Sequence, residues 1–253
     1  MAFYLISFSP TGGTHRAAGL FAQSFSKECI PVDLTDRTLT FSGIPFSKQD
    51  ICLAAVPAYG GRVPCPAAAR LAQMHGGGAR AILMAVYGSR AYEDTLAELY
   101  DILTAAGFRC TAGVAAVARH SIFPQFAAGR PDAADAAQLA AFARQVRAVL
   151  DGGTAPRPVL PGSRPYRPLR VMDLKPRAGT GCTSCGLCAQ QCPVGAIPLH
   201  APAQTDTALC IGCMRCAAVC PVHARRVDGA ALAAARQRLQ KACENRKQSE
   251  LFL

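Results

Sequence analysis

The 253-residue chain has no tryptophan, and only 16 Asp and Glu stand against 27 Lys and Arg, a formal charge of +11. No apolar run approaches the roughly 18 residues of a membrane span, which excludes a membrane-crossing helix. The N-terminus lacks a basic leader region and a cleavage pattern. "FYLISFS" is too short for a signal core and reads as a strand, so the chain is expected in the cytoplasm. A basic excess raises the question of nucleic acid, but no aromatic-rich basic stripe accompanies it, and no nucleic-acid partner is expected.

Half of the residues (51%) are apolar, enough for a core. The length suits one α/β domain and a smaller second one. Within residues 1–150 apolar strand-like runs alternate with helix-like ones. Strands are expected at 3–9, 30–36, 50–57, 79–88 and 109–119. Helices are expected at 14–27, 63–74, 91–107 and 131–153, the second opened by prolines and the last acidic early and basic late. Five strands alternating with helices predict a doubly wound parallel sheet in a domain spanning 1–153. Residues 154–181 hold six prolines and six Arg or Lys without a period and read as an extended linker. A small cysteine-rich domain is expected at 182–228. A basic helix and the apolar tail "SELFL" follow at 229–253.

Eight of the thirteen cysteines fall into two spaced runs. Cys182, Cys185, Cys188 and Cys192 are followed by Pro193; Cys210, Cys213, Cys216 and Cys220 are followed by Pro221. A disulfide framework suits a small secreted chain, so metal binding is the better reading here. This is the spacing of bacterial two-cluster iron–sulfur modules, in which the fourth cysteine serves the other cluster. Three thiolates two residues apart wrap one cube, and the fourth leaves in a short helix. The expected sets are Cys182, Cys185, Cys188 with Cys220, and Cys210, Cys213, Cys216 with Cys192. Two zinc sites are the alternative, but zinc leaves the third cysteine of each run without a role. The runs differ at Met214 and Arg215. Arg215 either lies beside a cube, raising its potential, or points to water. Cys52 and Cys110 fall in apolar strands and read as core residues.

In a doubly wound sheet, ligands bind at the carboxyl ends of the strands. "SFSPTGGT" ends the first strand and opens the first helix. Ser9, Thr11, Gly12, Gly13 and Thr14 offer hydroxyls, backbone N–H groups and close approach to an anion. A plain turn into the helix is the other reading. Two further loops share that edge: "PAYGGRVP" with Ala58, Tyr59, Gly60 and Gly61, and "YGSRAYED" with Tyr87, Gly88, Arg90 and Tyr92. With no tryptophan present, Tyr59 and Tyr92 are the candidates to stack on a flat ring, with Tyr87 behind them. His120 follows the fifth strand and either approaches this edge or serves its own loop.

The first loop resembles the phosphate loop of flavodoxins, and the cysteine runs resemble the bacterial two-cluster ferredoxin module. The whole chain resembles the EFR1-type family of flavodoxin–ferredoxin fusion proteins, to which "YGSRAYED" and "HSIF" with "AAGRPDAAD" are also similar. The resemblance implies a flavodoxin-like five-stranded sheet carrying FMN, a C-terminal α+β domain with two [4Fe-4S] clusters, electron transfer, and a redox protein as partner. It also rationalises the charge. Residues 151–253 carry 14 Lys and Arg against 6 Asp and Glu. Two oxidised cubes at about −2 each and a flavin phosphate at about −2 would offset roughly half of the total excess.

Overall fold

Runs that are apolar on both faces become central strands, because helices can cover a parallel sheet from both sides. The computed structural model describes residues 1–153, 157–169 and 173–253. Its first half runs β1 (Phe3–Ser7), α1 (Gly13–Phe25), β2 (Ile30–Asp33), β3 (Ile51–Pro57), α2 (Cys65–Leu71), β4 (Arg80–Tyr87), α3 (Thr95–Ala105), β5 (Arg109–Val117) and α4 (Ala133–Asp151). The strands pair in parallel in the order β2-β1-β3-β4-β5. That order is the flavodoxin-like one, with its switch point between β1 and β3.

Successive residues of each strand feed opposite cores. Tyr4, Ile6 and Phe8 pack with Leu71, Leu96, Leu99 and Leu103 of α2 and α3. Phe3 and Leu5 pack with Phe21 and Phe25 of α1 and Leu139 and Val146 of α4. α4 starts with a capping box: Asp132 accepts from the Asp135 N–H, and Asp135 accepts from the Asp132 N–H. The buried Arg130 guanidinium closes on Asp135 and donates to the Lys247 carbonyl at 2.7 Å.

The second half runs β6 (Arg177–Ala178), α5 (Leu187–Gln190), α6 (Arg215–Ala218), β7 (Arg225–Arg226), α7 (Gly229–Cys243) and β8 (Glu250–Phe252). β6 and β7 form a small antiparallel ribbon beside the cysteine runs. β8 adds to the first domain: Gly113 faces Phe252 and Ala115 faces Glu250 in antiparallel register with β5. The five expected parallel strands thus gain a sixth, antiparallel one. It covers the backbone edge that β5 would otherwise leave open. A five-residue apolar tail is too short for its periodicity to announce this.

Of the expected linker, residues 154–156 and 170–172 lie outside the described residues. The remainder is pinned. Asp94, buried at the start of α3, accepts from the Ser163 and Arg167 N–H groups at 2.8 and 2.7 Å. Arg164 and Tyr166 both reach Asp101, and Arg62 lies over the Tyr166 ring. Among the described residues no helix is long and apolar enough to cross a membrane.

Candidate functional site

The loop after β1 enters α1 through Gly12 at φ 86°, a conformation that disfavours a side chain. α1 has no side-chain cap. The Ser9 hydroxyl instead accepts from the His15 N–H at 2.9 Å. The N–H groups of Thr11, Gly13 and Thr14 have no partner among the hydrogen bonds of the described residues. Free donors at the start of a 13-residue helix suit an anion.

Thr11, Gly13 and Thr14 line one end of a cleft of about 1140 Å³. Ala58, Tyr59 and Gly60 after β3, and Tyr87, Gly88 and Arg90 after β4, line it as well. The β3 loop is shaped by a tight turn in which Tyr59 and Arg62 exchange backbone hydrogen bonds. Gly60 and Gly61 both take positive φ in that turn. Four expected residues lie outside the lining. Ser9 and Gly12 shape the turn behind Thr11. A Cβ on Gly61 would collide with Glu93, so Gly61 serves packing. Tyr92 stands behind the lining: its ring packs edge-on against Tyr87, and its hydroxyl donates to Glu250 of β8 at 3.1 Å. Of the three expected tyrosines, Tyr59 and Tyr87 line the cleft.

His120 lines the cleft too. Its Nδ1 accepts from the N–H groups of Ile122 and Phe123 at 3.1 and 3.3 Å, so both expected roles are combined. Burial, aided by the charge of Arg90, pushes its pKa down to about 4. The ring is therefore neutral near pH 7, with its proton on Nε2.

The opposite wall comes from the second half, which local patterns gave no means to place. Cys210, Ile211 and Gly212 border the cleft, and α7 roofs it with Ala231, Ala234, Ala235 and Arg238. Their i, i+3, i+4, i+7 spacing is one helix face, visible in the sequence once a neighbour is known. Burial and the nearby Cys213 sulfur push the Tyr59 phenol well above its ordinary value, so Tyr59 stands between cleft and second run. Arg215 is half-buried beside the second run. Its Nη1 donates to the Pro10 carbonyl at 3.0 Å, joining the second run to the first loop.

The eight cysteines fall into two groups in space. Cys182, Cys185, Cys188 and Cys220 line one small cavity together with Arg225. Cys192 acts on Cys210, Cys213 and Cys216: desolvation pushes Cys213 up to about 12, with Cys216, Cys192 and Cys210 adding to it. The fourth cysteine of each run thus sits with the other run. The Sγ atoms of Cys192 and Cys220 each accept a backbone N–H, from Ala196 and Ala224, both at 3.3 Å. Four cysteine sulfurs in each of two groups are the donor set that a cube takes, and the residues present fit it.

A family model described as a 4Fe-4S dicluster domain matches residues 181–224. No curated protein matches the chain. Among solved structures, the chain is similar to a flavodoxin from Streptococcus pneumonia TIGR4, at 17% identity over 58% of this chain and 99% of that one, with a TM-score of 0.43. It is similar to rubredoxin oxygen:oxidoreductase from Desulfovibrio gigas, at 17% identity over 60% of this chain and 36% of that one, with a TM-score of 0.43. It is also similar to an azoreductase from Bacillus anthracis, at 11% identity over 57% and 100%, with a TM-score of 0.38.

Proposed function

We propose that the protein transfers electrons between FMN in the cleft and two [4Fe-4S] clusters on the eight cysteines, converting between two-electron and one-electron carriers. One observation carries this reading: the loops after β1, β3 and β4 and the second cysteine run line the same cleft. FMN exchanges electrons singly or in pairs, and each cube passes one at a time. The chain's residues divide the work. Thr11, Gly13 and Thr14 hold the phosphate with N–H groups and the α1 dipole. Tyr59 and Tyr87 flank the ring, and Tyr92 fixes Tyr87 from behind. Cys192, Cys210, Cys213 and Cys216 hold the inner cube beside the cleft. Cys182, Cys185, Cys188 and Cys220 hold the outer cube, where Cys185 is exposed to a redox partner protein.

This organisation is that of a flavodoxin–ferredoxin fusion, with a flavodoxin-like domain at 1–153, a linker from 154 that ends where β6 joins β7, a two-cluster domain from β6 to 228 and a closing segment at 229–253. Thiolate clusters and unpaired cysteines suit the reducing cytoplasm. Anaerobic purification tests the reading: FMN and about eight irons per chain with matching acid-labile sulfide are expected. Stoichiometric zinc without sulfide would overturn it.

The cleft supports a second reading. At about 1140 Å³ it exceeds the roughly 300–1,000 Å³ of common ligand pockets, so a small molecule has room beside the flavin. The protein would then be an FMN-dependent reductase fed through its clusters. Turnover of a quinone or nitro acceptor by the reduced protein, faster than by free reduced FMN, is the result that would favour it.

A further inference from the structure

The two cysteine runs align without a gap from Cys182 to Ile197 and from Cys210 to Arg225, with the same residue at eight of sixteen positions. Their backbones agree. Gly186 and Met214 enter their helices at φ 78° and 63°. Cys192 and Cys220 accept the same backbone bond from Ala196 and Ala224. One of the differences falls at the last position. Ile197, 4% exposed, packs against Cys188 and Cys216. Its counterpart Arg225 is 3% exposed. A guanidinium replaces a core isoleucine.

Burying a charge costs several kcal/mol unless something opposite answers it. Among the described residues no carboxylate pairs with Arg225. Its hydrogen-bond acceptors are neutral: Thr205 Oγ1 at 2.5 Å, the Gln204 carbonyl at 3.0 Å and the Pro202 carbonyl. Its Nε is buried without a partner. Arg225 lines the cavity of Cys182, Cys185, Cys188 and Cys220. The four sulfurs of that set are the groups placed to answer this charge.

We propose that Arg225 is a buried counter-charge of the outer cube, holding its reduction potential above the value it would have with an apolar side chain in its place. The proposal rests on the cube reading above. Each reduction adds one negative charge, and a fixed cation at low dielectric stabilises it.

The test is an anaerobic EPR-monitored redox titration of the full-length holoprotein. Arg225→Ile copies the sister run and is expected to assemble. The potential of the outer cube, the one whose signal Cys185→Ala removes, should shift to a more negative value, while Arg225→Lys, which keeps the charge, should restore most of the shift. Arg226→Gln, an exposed neighbour, should leave it unchanged. A wild-type outer-cube potential in an iron-replete Arg225→Ile protein would overturn the proposal, and so would an equal shift in Arg225→Lys. If Arg225→Ile loses its clusters, retention at near wild-type potentials in Arg225→Lys supports the counter-charge. Loss in both variants shows that the fork only braces the 202–205 loop. Wild-type protein without about eight irons would instead defeat the cube reading itself.

Discussion

Cys185 and Cys213 occupy the same step of their two runs, yet Cys185 is exposed and Cys213 is buried beside Tyr59. Local sequence does not cause this, because both runs have the same spacing and the same backbone turns. Tertiary placement does. Arg215 ties the second run to Pro10 in the first loop, and Arg70 of α2 ties the first run to the large domain through the Pro193 carbonyl at 2.6 Å. Two equivalent centres therefore acquire different neighbours: the inner one has the cleft, the outer one has solvent. On the function proposed above, this asymmetry would give the chain an entry for single electrons on one side and a two-electron site on the other.

The largest expected effect separates the two centres. Cys192→Ala and Cys185→Ala should each leave about four irons, but different ones. Cys185→Ala removes the outer cube and leaves flavin and inner cube in exchange. Cys192→Ala removes or degrades the inner cube, so electrons supplied at the outer cube should no longer bleach the flavin. EPR spectra of the two variants should lose different signals. Loss of the same signal in both would mean that the fourth cysteine stays with its own run.

The fold of the first half was legible because its cues are local. Continuous apolar strands, a proline-led α2 and the acidic start of α4 each mark their own element. The cysteine spacing was legible for the same reason. Contacts between residues far apart in sequence were not: Arg215 with Pro10, Tyr92 with Glu250, and β8 with β5 leave no period to read. α7 looked like a solvated basic helix, although its alanine face covers the cleft. Arg225 is a different case. Its signal is present, since laying one run over the other sets it against Ile197, but nothing local in the sequence says that its side chain is buried.

The next effect sharpens the comparison from the cleft side. Thr11→Glu puts a carboxylate among donors that suit a phosphate. Repulsion and lost hydrogen bonds should weaken FMN binding by several kcal/mol, roughly a thousandfold. The outer cube should keep its EPR signal, because it is remote from that loop. Flavin retention after gel filtration reads the first effect and EPR the second. Unchanged retention in a folded variant would reduce the loop to a turn.

The smallest effect comes from the wall facing the inner thiolates. His120 carries a pKa of about 4 in the folded protein, against the ordinary value near 6.5, because burial and then the charge of Arg90 disfavour its protonated form. Between those values the unfolded chain binds more protons than the folded one, so stability rises with pH. The contribution is complete above about pH 6.5 and is lost as the pH falls towards about 4. At about 1.4 kcal/mol per unit the ceiling is about 3 kcal/mol, and solvent at the cleft mouth lowers the expected value to about 1–2 kcal/mol. His120→Asn keeps an acceptor for the Ile122 and Phe123 N–H groups but has nothing to titrate. Urea midpoints at pH 5 and pH 7 measure the difference: wild type should lose more stability on acidification than His120→Asn. Equal losses would show that His120 is already free to protonate in the folded protein, and that this wall of the cleft is as open to water as the outer cysteine run.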